Sequence, residues 1–95
     1  MQGRDMTEGF QSTMQKGFHI CFENGWIVSV QFGAGNYCEH HDNYDMIGKN
    51  AGPSKTAEIA AWDKDGTWHK FEHDTVDGYK SPAEVLAFMN MIAAK

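Results

Sequence analysis

Between positions 37 and 42 the chain reads Tyr-Cys-Glu-His-His-Asp, and Asp45 follows close behind. Thiolate, imidazole and carboxylate are the ligand types of zinc, and a loop has the freedom to wrap an ion. Cys38, His40, His41 and Asp42 are therefore the candidate metal ligands of this sequence. The pattern lacks the separated ligand pairs of structural zinc sites, and the adjacent His40 and His41 would generally point in different directions. His19 and Cys21, alternate residues of a strand-like run, offer a second half-site, and His69 and His73 add further ring nitrogens. The plainer interpretation is a solvated polar loop and a buried strand cysteine with no cofactor, and zinc is the alternative.

Nucleophilic catalysis needs a thiol beside a base. His19 with Cys21, and Cys38 with His40 or His41, meet that need on spacing alone. Cysteine is also among the most buried residue types, so core packing explains Cys21 more simply. A small thiol enzyme built on His19 and Cys21 therefore ranks third. The other motifs add little. Glu58 alternates with Ala60 and Trp62, and Asp63 and Asp65 are turn formers first. Gly33-Ala-Gly35 misses the third glycine of the dinucleotide fingerprint, and Gly48-Lys49 lacks the upstream glycine of a phosphate loop. No serine sits in a nucleophile elbow, and no catalytic residue is assigned.

Large aromatic side chains are the other class of functional candidate. Trp26, Tyr37, Tyr44, Trp62 and Trp68 are the residues expected to present a partner surface, because such rings dominate binding hot spots. The competing explanation is that they are core residues and cross-strand pairs.

Charge narrows the partners. The net charge is −5, and the eight basic residues, only one of them arginine, never cluster. Phosphate-backbone binding needs a concentrated basic face, so neither nucleic acid nor an anionic membrane surface is an expected partner. No stretch is long and apolar enough to span a bilayer, and residues 1–17 lack the apolar core of a secretory signal. Two cysteines without an export signal fit a reducing cytoplasm and thiols rather than a disulfide.

These residues are positioned by a short series of elements. Residues 1–17 are polar and contain Gly9, and are expected to form a flexible arm; the folded domain is expected over residues 18–95. Two β-rich runs, 18–23 and 26–32, flank Asn24-Gly25, the pair preferred in type I′ hairpin turns. A two-residue turn pairs Glu23 with Trp26. One face then carries His19, Cys21, Glu23, Trp26, Val28, Val30 and Phe32, and the other carries Phe18, Ile20, Phe22, Ile27, Ser29 and Gln31. Residues 33–55 form a long loop, which Tyr37, Tyr44, Met46 and Ile47 could pin to the sheet. A second hairpin joins residues 56–62 to 67–71 through a turn at Asp63-Lys-Asp-Gly66, with Gly66 in the left-handed region.

After a polar bridge over 72–80, Ser81, Pro82 and Glu84 spell a capping box with proline in the first turn. Val85, Leu86, Phe88, Met89, Ile92 and Ala93 continue it as a broad apolar helical stripe. The expected fold is α+β: a four-stranded antiparallel sheet of two hairpins, in the order β-β-loop-β-β-α, with the C-terminal helix on one face. The first hairpin is apolar on both faces in this register. Something must cover the second face, and a homodimer or larger assembly is one solution.

The runs 24–33 (NGWIVSVQFG) and 57–68 (AEIAAWDKDGTW), with Ser81-Pro-Ala-Glu-Val85, resemble small proteins of tailed phages and marine environmental sequences to which no activity is assigned. The resemblance covers most of residues 18–93. It implies a cytoplasmic accessory protein acting inside an infected bacterium, and it transfers no catalytic residue. The leading expectation is a non-enzymatic, self-associating interaction module whose partners are itself and a host or phage protein.

Overall fold

The computed structural model describes residues 7–95, so the part of the expected arm over 1–6 lies outside the described residues. Strands β1 (Gly9–Ser12), β2 (Gly17–Cys21), β3 (Ile27–Gln31), β4 (Ala57–Trp62) and β5 (Asp77–Lys80) form one antiparallel sheet in chain order, followed by helix α1 (Pro82–Ala93). The α+β class and the C-terminal helix stand. The sheet has five strands among the described residues, not four.

The additional strand lies in what was expected to be the arm. Phe10 pairs with Ile20 and Ser12 with Phe18, joined by a turn closed by Lys16 N–H donating to the Thr13 carbonyl at 3.0 Å. Its central residues, Met14 and Gln15, have φ of 49° and 68°, the combination of a type I′ turn. Neither is Gly, Asn or Asp, so composition gives no warning of it, and each left-handed residue costs about 1 kcal/mol or more.

The Asn24-Gly25 turn is not type I′. Gly25 N–H donates to the Phe22 carbonyl and Phe22 N–H to the Trp26 carbonyl, both at 2.9 Å; only Gly25, at φ +88°, is left-handed. This is a three-residue loop, and it moves the pairing by one position: Cys21 lies opposite Ile27 and Ile20 opposite Val28. A one-residue shift moves one strand's side chains to the other face relative to its partner. Phe18 and Ile20 therefore join Val28 and Val30 on one face, with Phe22, Trp26 and Phe32 packed against the same core. His19, Cys21, Ile27, Ser29 and Gln31 share the other face. The expected hairpin with two apolar faces thus becomes one apolar face and one mixed face. On the mixed face Gln31 Nε2 donates to Thr13 Oγ1 at 2.8 Å and to Ser29 Oγ at 3.2 Å.

The second hairpin also differs. Asp63 N–H donates to the Thr67 carbonyl, Gly66 has φ +84°, and Trp68 bridges to Trp62, so the expected turn forms. The run 67–71 then leaves the sheet instead of continuing as a strand. The rings of His69 and Phe71 lie 5.4 and 5.3 Å from that of Phe88 on α1, so aromatic packing on the helix replaces the ladder. Residues 77–80, expected to be a polar bridge, take the vacated edge as β5, with a bulge between Ala57 and Ile59.

Helix α1 begins as its sequence requires. Glu84 N–H donates to Ser81 Oγ at 3.2 Å, and Ser81 N–H donates to Glu84 Oε1 at 2.9 Å. Val85, Phe88 and Ile92 are buried against Val28, Val30, Ile59 and Ala61, contributing about 1.5–3 kcal/mol each before side-chain entropy is subtracted. The far end is held by the first hairpin's turn: Asn24 Nδ2 lies 3.0 Å from the Ile92 carbonyl oxygen, 3.3 Å from that of Ala93 and 3.2 Å from that of Lys95.

The long loop is pinned only in part by the residues expected: Tyr37 is tied through its backbone to Glu58 and Tyr79, but not by burial of its ring. Tyr44, Ile47 and Tyr37 are exposed, whereas Cys38 is buried. Glu39 N–H donates to Thr56 Oγ1, Lys55 N–H to Glu39 Oε2 and Ala51 N–H to the Gln15 carbonyl, so hydrogen bonds rather than aromatic packing fold the loop back.

Candidate interaction surface

Helix α1 packs on β3, β4 and β5, running from the Phe32–Ala57 end of the sheet to Asn24. A helix is about 10 Å wide and strands lie about 4.8 Å apart, so one helix cannot roof five strands. Among the described residues no helix covers the β1–β2 half of the same face. Phe10 is 80% exposed there, and Phe18, Ile20 and Phe22 are only partly buried.

The outward side of α1 is apolar as well. Leu86 is 56% and Met91 47% exposed, and Ala83, Ala87, Asn90 and Ala94 complete that surface. No charged residue lies between Glu84 and Lys95. A helix that is apolar all round is normally buried on all sides. Between the start of α1, the end of β3 and the loop at 53–56 lies a cleft of about 430 Å³ lined by Val30, Phe32, Ala57, Pro82 and Val85. At its rim Lys80 is held 2.9 Å from Asp77, and that hydrogen bond raises the lysine pKa.

The five aromatic residues expected to form one partner surface are dispersed. Trp26 sits on the helix face, its ring 5.0 Å from the Lys95 ammonium. Trp62 is on the opposite face, edge-on to His19 at 5.1 Å and 4.7 Å from Trp68. Tyr37 lies along the outer edge of β5, where its carbonyl accepts from Tyr79 N–H and its ring stacks on His41 at 5.4 Å. Tyr44 projects from a 3-10 turn in the loop. Only Trp62 and Trp68 are brought together. Phe10, Leu86 and Met91, which are exposed on the side of the sheet that carries α1, were not among the candidates. The signal that reveals two of them is the near absence of polar residues around α1; for Phe10 there is none without knowledge of β1.

The candidate metal ligands point to separate partners. The Cys38 thiol donates to the Gly33 carbonyl at 3.4 Å, His40 Nε2 meets the Pro53 carbonyl at 2.8 Å, and His41 Nδ1 meets Asp42 Oδ1 at 2.7 Å. Among the described residues no three His, Cys, Asp or Glu side chains converge. Burial raises the pKa of Cys38, against hydrogen bonds from His40 N–H and Ser54 that lower it; burial and then the Glu8 charge raise that of Cys21. A raised thiol pKa disfavours the thiolate that nucleophilic chemistry requires.

No helix among the described residues is long and apolar enough to cross a membrane. Comparison with protein families, with curated proteins and with solved structures finds no match to this chain.

Proposed function

We propose that this chain is a non-enzymatic protein–protein interaction module that docks through the outer side of α1 and the bare β1–β2 strip beside it. The observation that carries the proposal is a helix with no charge after Glu84 that exposes Leu86 and Met91, on the same side of the sheet as the exposed Phe10. Exposed apolar surface of this kind marks interaction sites on small soluble domains. The cleft at Val30, Phe32 and Val85 suits a partner's anchoring side chain. The resemblance to phage proteins supports an accessory role in the cytoplasm of an infected cell.

The test is a photo-crosslinking residue placed at Leu86 or at Phe10, irradiated in cells producing the chain, with Asp65 in the remote β4 turn as control. Protein adducts at positions 86 and 10 but not at 65 support the reading. No adduct at either position refutes it.

A further inference from the structure

We propose that the occupant of this surface is a second copy of the chain, each copy laying its α1 over the β1–β2 strip of the other. This rests on the interaction-module reading and names its partner. Among the described residues each chain has one α-helix with an unroofed outer side and one helix-wide strip without a helix. A helix layer sits about 10 Å from a sheet, so two sheets facing each other across two side-by-side helices form a closed β/αα/β sandwich. The twofold axis then runs along the helices, between them. Each α1 is covered by its own sheet on one side and by its partner's on the other, which accounts for Leu86 and Met91 on its outward side.

Charge agrees with this arrangement. A twofold axis along the helices makes them parallel, so the partner's α1 begins at the Lys16 end of β2 and ends at the β2–β3 turn. Lys16, whose carbonyl accepts from Phe32 N–H, lies at the first of these ends; Glu8, next to the Gly9–Cys21 pair, and Glu23, in the β2–β3 turn, lie at the second. Glu84 of each copy is thereby brought toward Lys16 of the other, and Lys95 toward Glu8 and Glu23. The antiparallel alternative would set like charges against each other, and its axis would leave both strips bare.

Area agrees too. A standard interface buries about 800 Å² per partner, a little over half of it apolar, which requires about 450 Å² of apolar surface from each copy. The exposed parts of Phe10, Leu86 and Met91, with the partly buried Phe18, Ile20, Phe22 and Met89, supply on the order of that area at ordinary side-chain sizes.

The test is the mass of the full chain in solution by sedimentation equilibrium and light scattering. The expected species has twice the 10.7 kDa chain mass. Leu86→Asp and Phe10→Asp should each raise the dissociation constant at least about tenfold, as hot-spot losses do, with circular dichroism unchanged. Lys16→Glu should weaken association at low salt and flatten its salt dependence. Trp68→Ala, on the opposite face, should leave the dimer intact. A wild-type chain that stays monomeric at high concentration overturns the inference, as does a dimer that survives both aspartate substitutions or is lost with Trp68→Ala. A monomer whose position-86 adduct in cells is a different protein overturns only this inference, whereas no adduct at all removes the module reading with it.

Discussion

Asn24 joins two parts of the chain 68 residues apart, and replacing it tests the register and the helix orientation together. Its amide has two hydrogens, so of the three carbonyl contacts to Ile92, Ala93 and Lys95 at most two are full hydrogen bonds. Its Oδ1 accepts a third bond, from Trp26 N–H at 2.9 Å. Net hydrogen bonds contribute about 0.5–1.5 kcal/mol each, and most of these are solvent-exposed, so Asn24→Ala should cost about 2 kcal/mol. For a chain of this size that is a fall in Tm of about 10 °C. Asn24→Asp keeps the acceptor for Trp26 N–H but turns a carboxylate toward the carbonyl oxygens that end α1, where negative charge is unfavourable. It should therefore be at least as damaging as alanine at neutral pH. The sign with pH follows: the folded state disfavours the aspartate anion, so its pKa rises above the unfolded value of about 3.9. The deficit is then full above the folded pKa and relieved as pH falls below it, when the protonated acid can donate. Thermal and urea melts of the three proteins between pH 3 and 7, with amide exchange at the last turn of α1, measure this. A stability for Asn24→Ala within about 0.5 kcal/mol of the parent would refute both the cap and the pairing that delivers it.

Further outcomes follow from other contacts. Gly17→Ala would put a methyl group into the Val30 carbonyl and 2.9 Å from Gln31 Cα across the β2–β3 ladder, so denaturant melts should show a loss of about 2–3 kcal/mol. Ser81→Ala removes the oxygen that caps Glu84 N–H and should cost about 1 kcal/mol, read from the same melts. His69 has its pKa lowered from 6.5 by burial against Phe71 and Phe88, with a smaller push from Lys95. Its neutral form is favoured in the folded state, so stability should fall as pH drops from about 6.5, and His69→Phe should remove that component; an unchanged pH profile would contradict the packing. Gly78→Ala would collide with Tyr37, so the Tyr37 ring should lose its ordered stacking on His41 in aromatic NMR spectra while the helix persists.

Where interactions are local, the sequence was sufficient. Ser81, Pro82 and Glu84 lie within one helical turn and start α1 regardless of the rest of the fold. Gly66 after Asp63-Lys64-Asp65 makes its turn for the same reason. The stretch Ala57–Trp62 is extended despite its helix-favouring alanines, because β3 on one side and β5 on the other supply ladder partners. The class, the single C-terminal helix and the strand at 57–62 were therefore legible from residues 18–95.

What the tertiary structure decided is register, strand count and exposure, each set by partners remote in sequence. Asn24-Gly25 is compatible with a two- or a three-residue loop, and the choice made unites Phe18, Ile20, Val28 and Val30 on the face that carries α1. Met14 and Gln15 adopt left-handed backbone only because β2 offers β1 a free edge to pair with. Thr67–Phe71 looks like a strand, yet the Phe88 ring draws Phe71 out of the sheet and leaves the edge to a segment with weaker strand propensity. The exposed surface of Phe10, Leu86 and Met91 is what remains when one helix meets five strands, a mismatch of width that no local pattern records.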